Sequence, residues 1–462
     1  MYNNKSLGKH LANSSFWSLA GQIISTITTL LFFALVSRAL PPEGLGTYLL
    51  ILNIVMLVSL VGTFGVQTTM VRSIAAELGA RKNREVGTIV TSGITIVLCL
   101  SSLCGLILTG PAGNTLLQSI FDISTSKSIL VLTAAWLVLH CFNLVTAESL
   151  RGFHDIKYAT IFGAASKVLL LLLVAMAFFT WGTLSIESIL VATSLSLFIT
   201  FALALRHLSQ HLKAIDTTSS FSSKKATSLI TQSAPIFLTS IVYQLVTRSG
   251  VFILGFFATK AELALYGASL QMVLLIIVPL RIINSILPPI ISNMYFNDDE
   301  HSRLEDTIRS VTTIAAVPSI VVILILVVFG DHLLTLTYGA FYSDGHILLA
   351  ILALGAISDV VLGPCGITLI MSGNQITHLR IQLISGLLAI SASIVSGLLW
   401  GTMGVACVTA LAALSQNLAT LYFAKRKTGL LCCSYLAPRN IWRVALGIKN
   451  LSSNFVTDKK QD

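Results

Sequence analysis

The chain has 462 residues, 55% of them hydrophobic and only 10% charged, with a mean hydropathy of +0.86 and a formal net charge of +10. Ordinary soluble domains carry about 25% charged residues, so this composition excludes a soluble enzyme, a disordered chain and a nucleic-acid-binding protein. What it fits is an all-α polytopic membrane protein, because long continuous apolar runs cross lipid only as helices and the alternating segments of a β-barrel do not occur.

Lys5, Lys9 and His10 precede an apolar run too long for the core of a cleaved leader and lacking a small-residue cleavage site, so that run is read as a first span at 16–37. Further runs of spanning length predict helices at 48–69, 87–109, 128–149, 159–181, 188–205, 230–257, 264–291, 310–329, 346–371, 381–400 and 402–424. With the N-terminus inside, 23 Lys and Arg residues fall in inner segments and 3 (Arg38, Lys127 and Lys260) in outer loops. This asymmetry predicts twelve transmembrane helices with both termini cytoplasmic, the basic residues facing anionic lipid.

The longest inner connection, 206–229, is polar, with His207, Ser219, Ser220, Ser222, Ser223, Lys224 and Lys225. It is expected to separate an N-terminal six-helix lobe, 1–205, from a C-terminal six-helix lobe, 230–424, followed by a basic cytoplasmic tail, 425–462. Six is even, so the lobes run in the same sense, like parallel transporter repeats. Leu45-Gly46-Thr47-Tyr48, entering span two, is echoed by Leu263-Ala264-Leu265-Tyr266, entering span eight. Pro235, Pro279, Pro288, Pro289, Pro318 and Pro364 fall in spans seven to ten, so broken or bent helices are expected in the second half. Cys99, Cys104, Cys141, Cys365 and Cys407 read as lipid-phase or packing residues, and Cys432 with Cys433 as an inert pair beyond the last span. Ile441, Val444, Ala445 and Ile448, among Arg439, Arg443 and Lys449, outline a short basic amphipathic stretch on the inner membrane surface.

No Gly-rich phosphate loop, metal-spaced His/Cys cluster, nucleophile elbow or pair of carboxylates at a defined site is apparent, so no catalytic residue, metal or cofactor is expected. The chemistry rests on ionisable residues inside spans, each costing about 2.5–3.5 kcal/mol to insert. These are Lys167, Arg248, Arg281 and Asp359. Helical spacing puts Thr160, Gly163 and Lys167 on one face, Gln244 with Arg248 on another, and Arg281 with Asn284 on a third. A cationic, hydrated cavity lined by Arg248, Arg281 and Lys167 suits an anion, above all phosphate, which guanidinium binds through two parallel hydrogen bonds. Lys167 lies close enough to the inner end of its span to snorkel instead. Asp359 reads as a charge partner for an arginine, with proton or sodium coupling the rarer role. His140 is near enough to mid-membrane to titrate, and a packing role is the alternative. Asn53, Gln22, Gln67 and Gln271 read as interhelical glue.

Several stretches resemble a known family. They are Asn13 to Gly21 (NSSFWSLAG), Ser37 to Tyr48 (SRALPPEGLGTY), Gly65 to Arg72, Leu150 to Gly152 with Tyr158, Leu354 to Asn374 (with Gly363-Pro364 and Met371 to Gly373) and Gly401 to Ala406 (GTMGVA). In order and spacing these are similar to bacterial polysaccharide-biosynthesis flippases, the Wzx-type O-antigen and capsule repeat-unit transporters of the multidrug/oligosaccharidyl-lipid/polysaccharide (MOP) exporter superfamily. Pro41 stands where that family more often has Gly. The resemblance implies a MATE-like pair of six-helix lobes in the bacterial cytoplasmic membrane, with alternating access for an undecaprenyl-pyrophosphate-linked oligosaccharide. A polysaccharide polymerase and a chain-length regulator are the implied partners. A drug/cation antiporter of the same fold is the alternative; such antiporters usually carry an acid in the first span, and 16–37 has none. A non-transporting scaffold of polysaccharide assembly is the other alternative.

Overall fold

The computed structural model describes residues 4–115, 118, 126–215, 220–295 and 301–435. Among these, all the regular structure is helical, and eleven helices are long and apolar enough to cross a membrane. In chain order the helices are α1 (Asn4–Ala39), α2 (Pro42–Thr63), α3 (Val66–Gly79), α4 (Asn83–Thr109), α5 (Pro111–Thr115), α6 (Lys127–Gly152), α7 (Ile156–Trp181) and α8 (Ile186–Ala214). They continue as α9 (Ser223–Phe257), α10 (Lys260–Tyr295), α11 (His301–Val328), α12 (Gly330–Tyr338), α13 (His346–Leu362), α14 (Cys365–Met371) and α15 (Gln375–Thr428). The tail stretch at 441–448 lies outside the described residues.

Three predicted boundaries are corrected. The span expected at 48–69 begins at Pro42, whose fixed φ suits the first helical position, and stops at Thr63, because Phe64 and Gly65 both take left-handed φ, +48° and +72°. The broken helix is therefore in the first half as well as the second. A Cβ on Gly65 would lie 3.1 Å from the Ser233 carbonyl, so the break lets α9 approach. The span expected at 346–371 is divided into α13 and α14 at Gly363-Pro364, with Gly363 at φ +71°. The short α12 and a 3-10 turn at Ala340–Gly345 precede it and were not expected. The predicted spans 381–400 and 402–424 are continuous in α15 apart from one break, Gly401, at φ +58° and ψ −142°. Unbroken, 54 residues would extend about 80 Å, more than twice the hydrocarbon thickness; the break leaves two segments each long enough to cross.

The chain forms two compact units, Met1–Ala268 with Thr335–Tyr342, and Ser269–Leu334 with Ser343–Asp462. In the first, α6 packs against α4 and α8, α1 against α7, and α9 against α2, α3 and α4. Small residues permit this closeness: Gly62 of α2 lies against Ser101 of α4 and Cys141 of α6. Polar clasps fix α9 further. Thr69 and Ser233 hydroxyls meet at 2.7 Å, Phe64 stacks on Phe237 at 4.5 Å, and Lys225 reaches Glu85 at 2.9 Å and Glu77 at 3.5 Å. The two echoed segments also meet here. Leu49 and Gly267 occupy equivalent positions in the echo, and a Cβ on Gly267 would collide with Leu49.

In the second unit α13 packs on α11 and α15, and α14 on α15. Residues 429–435 then cross this unit as a strap. Leu431 N–H donates to Glu305, Ser434 N–H to the Val361 carbonyl, Tyr435 N–H to Thr313, and the Tyr435 hydroxyl to Asp306 at 2.6 Å. Arg309 covers the Tyr435 ring at 4.1 Å, and Cys432, within the strap, is buried.

Candidate functional site: a cationic cluster among helices 2, 6, 7 and 9

Helix geometry sets the depth of each candidate. Arg248 stands nine residues, about 14 Å, before the end of α9, and Lys167 eleven residues, about 16 Å, into α7. His140 is at the middle of α6 and Asn53 at the middle of α2. Four polar side chains from separate helices of one unit thus sit far from any helix end.

The structure connects them. The Asn53 amide nitrogen donates to the Leu49 carbonyl of its own helix at 2.7 Å, which turns the amide oxygen outward. That oxygen accepts from Arg248 Nη1 at 2.5 Å. Arg248 is half-buried, yet its hydrogen-bond partner here is a neutral amide and not a carboxylate, so its charge is held in place without being cancelled. Its fork carries five N–H donors, and a single amide oxygen engages one edge of it. The charges of both Lys167 and Arg248 are felt at the His140 imidazole of α6. Lys167 is exposed, and Gln244 is half-buried one turn before Arg248. Thr160, predicted to share the Lys167 face, packs on Gly21 of α1.

Arg281, Asn284 and Asp359 belong to the second unit. Arg281 is exposed on α10, and Asn284 is half-buried, its Oδ1 buried without a hydrogen-bond partner among the described residues. Asp359 accepts from the Asn417 amide at 2.7 Å, and the same amide reaches Ser358 Oγ at 3.0 Å. The hydrogen-bond partner the structure gives this carboxylate is thus an amide of α15.

Two features escaped the sequence reading. Asn53, taken as interhelical glue, is the residue that orients Arg248; its one legible signal is an amide at mid-span. The second is Asp155, which lies outside the spanning segments, just before α7, and meets His207 Nε2 at 2.8 Å and His211 Nε2 at 2.9 Å. Burial pushes the Asp155 carboxyl up, but hydrogen bonds from both imidazoles and from the Tyr158 N–H outweigh it and hold it below the ordinary carboxylate range. The signal was present as a His-x-x-x-His spacing on α8. Elsewhere in this unit an open groove of about 540 Å³ between α4 and α6, lined by residues such as Gly105, Leu106 and Val138, is apolar and contains none of the cations.

Solved structures share this fold. The inward-facing conformation of a multidrug resistance MATE family transporter of the MOP superfamily aligns with a TM-score of 0.74 at 16% identity, covering 90% of this chain and 98% of that one. Lipid II flippase MurJ, in an inward closed conformation, aligns with a TM-score of 0.69 at 16% identity, covering 96% and 93%. A MOP superfamily transporter from Pyrococcus furiosus, described as having a binding pocket of reversed polarity, aligns with a TM-score of 0.65 at 17% identity, covering 91% and 96%. No curated sequence matches the chain at a significant level. The sequence pattern of one family, however, matches residues 11–295, more than half the chain, and with that the chain belongs to the polysaccharide biosynthesis protein family.

Proposed function

We propose that this multi-pass membrane protein is a flippase. Its cargo is an undecaprenyl-pyrophosphate-linked oligosaccharide repeat unit, carried from the cytoplasmic to the outer leaflet of the bacterial cytoplasmic membrane by alternating access. The product feeds O-antigen, capsule or exopolysaccharide synthesis. Twelve crossings, both termini in the cytoplasm and six-helix lobes at 1–205 and 230–424 are part of the proposal, supported by the asymmetry of Lys and Arg.

The observation that carries this reading is Arg248 held by Asn53. A cation at mid-helix depth, oriented by an amide, keeps a positive field available to a ligand. A pyrophosphate headgroup supplies the matching negative charge and the paired oxygens that a guanidinium fork engages. Arg281 is proposed as a further headgroup contact, and Gln244 and Asn284 as polar lining. Asp359 and His140 are the candidates for ion coupling. The sign of the charge at Arg248 and Lys167 is wrong for a cationic drug, which sets aside the drug/cation antiporter alternative. A polymerase and a chain-length regulator are proposed partners.

The test is deletion and complementation in the native bacterium, with lipid-linked intermediates assayed on each leaflet. Loss of the gene is expected to trap intermediates on the inner leaflet and halt surface polysaccharide. Intermediates reaching the outer leaflet at the normal rate in a strain without a redundant flippase would overturn the proposal.

A further inference from the structure

We propose that Asp155, His207 and His211 form a binding site for a transition-metal dication of the zinc class, at the junction between the start of α7 and the end of α8. The ligand types fit: two imidazoles and one carboxylate suit zinc and its neighbours, whereas magnesium and calcium prefer oxygen alone. With neutral imidazoles the trio carries one negative charge, which complements a dication.

Local structure brings the three together. His207 and His211 are one helical turn apart on α8, so both rings leave the same face, their centroids 5.0 Å apart. The chain turns tightly after α6, with His154 at φ +61°, and this delivers Asp155 to the position that caps α7. Its Oδ1 is held by the Tyr158 N–H at 3.3 Å, leaving Oδ2 to face both rings. The three ligand atoms all lie within 4.8 Å of one another. The Oδ2 to Nε2 spacings of 2.8 and 2.9 Å compare with about 3.3 Å between ligands around tetrahedral zinc and about 2.9 Å between adjacent ligands in an octahedron. Those two spacings need to open by about half an ångström or less, and the remaining pair, the two Nε2 atoms, lies within 4.8 Å.

The surroundings are those of a supported site. The Tyr158 ring packs on His207 at 4.2 Å and the Phe153 ring on His211 at 5.4 Å, fixing both imidazoles. Nearby cations are engaged elsewhere: Arg151 pairs with Glu148 at 2.7 Å, and Lys157 lies over the Trp17 and Tyr158 rings. The side chains are 17–32% exposed, which leaves an entry path. On binding, each Nε2 lone pair and one Oδ2 lone pair bond to the metal. In the metal-free site each Nε2–H donates to Oδ2; on binding each ring loses that proton to solvent, a neutral ring regaining one at Nδ1, so that the freed Nε2 lone pairs replace the two hydrogen bonds with metal bonds. The ion then ties the turn before α7 to the last turns of α8.

The test uses the full chain without a histidine tag, in lipid nanodiscs, stripped with chelator and titrated with zinc by calorimetry and with cobalt by visible absorption. One zinc per chain is expected. Asp155→Asn, which keeps the capping oxygen, and His211→Gln are each expected to weaken binding at least tenfold and abolish the cobalt bands. Zinc, unlike magnesium, is expected to raise the melting temperature of the wild type. A wild type that binds no more zinc than His207→Gln/His211→Gln, or that melts alike in zinc and magnesium, would overturn the proposal. Neither readout requires the cargo.

Discussion

Arg248 and Asn53 divide the work at the cationic cluster between charge and orientation. The guanidinium supplies the field and the paired donors; the amide fixes where they point. Replacing Arg248 with Ala removes both, and a charged hydrogen bond is worth about 1.5–3 kcal/mol, so outer-leaflet delivery in a complemented strain is expected to fall about 10- to 100-fold. Arg248→Lys keeps charge without the fork and should fall between the two. Asn53→Leu frees the arginine to wander, so its loss should be smaller than that of Arg248→Ala. Equal delivery by all three variants and the wild type would remove Arg248 from the site. At this scale the sequence was informative where insertion is costly: Lys167, Arg248, Arg281 and Asp359 stand out because charge in an apolar run demands a reason. It was silent on partners. That Asn53 serves Arg248, or that Asn417 meets Asp359, depends on which helix faces which, and no single run of residues encodes that.

Among the elements, the breaks matter most. Gly65, Gly363 and Gly401 all adopt left-handed φ, the first two where another segment approaches and the third with open space around it. A Cβ on Gly363 would lie 2.6 Å from the Cys432 carbonyl of the strap, so steric and conformational costs add there. At Gly401 nothing lies within 4 Å, and only backbone strain opposes substitution. Gly401→Ala is therefore expected to cost about 1–3 kcal/mol, seen as a lowered melting temperature in detergent. Gly79→Ala, in open space at the end of α3, is the control and should be neutral or slightly stabilising. Equal melting of Gly401→Ala and the wild type would mean that the break at 401 is not required. The apolar runs revealed that helices exist, yet misplaced several ends, because hydropathy measures how long a segment is oily and not where its backbone turns. Pro364 signals a bend in its span, and the structure makes it a full division between α13 and α14 at Gly363-Pro364.

For the molecule as a whole, composition alone indicated an all-helical membrane protein, since 10% charged residues cannot cover a soluble surface. Which helices pack together was less accessible. α9 opens the second half by count of spans, but its Ser233, Lys225 and Phe237 join it to α2, α3 and α4. Those contacts rest on hydroxyls, an ion pair and a ring stack separated by more than a hundred residues, beyond the reach of periodicity. The faint echo between Leu45–Tyr48 and Leu263–Tyr266 continues to Leu49 and Gly267, and these two residues meet in the first unit. The resemblance to polysaccharide-biosynthesis flippases lay in short boundary patterns, and these coincide with turns of the structure at 64–65, 363–364 and 401. They bear on architecture more than on cargo.

The most direct measurement is reconstitution of the purified chain in proteoliposomes, following movement of a polyprenyl-pyrophosphate-linked oligosaccharide between leaflets. The wild type is expected to accelerate transfer at least tenfold over protein-free vesicles, and Arg248→Ala to return it close to background. Transfer no faster with the wild type than without protein, or undiminished by Arg248→Ala, would contradict the central claim that a guanidinium held within the helices receives an anionic lipid head.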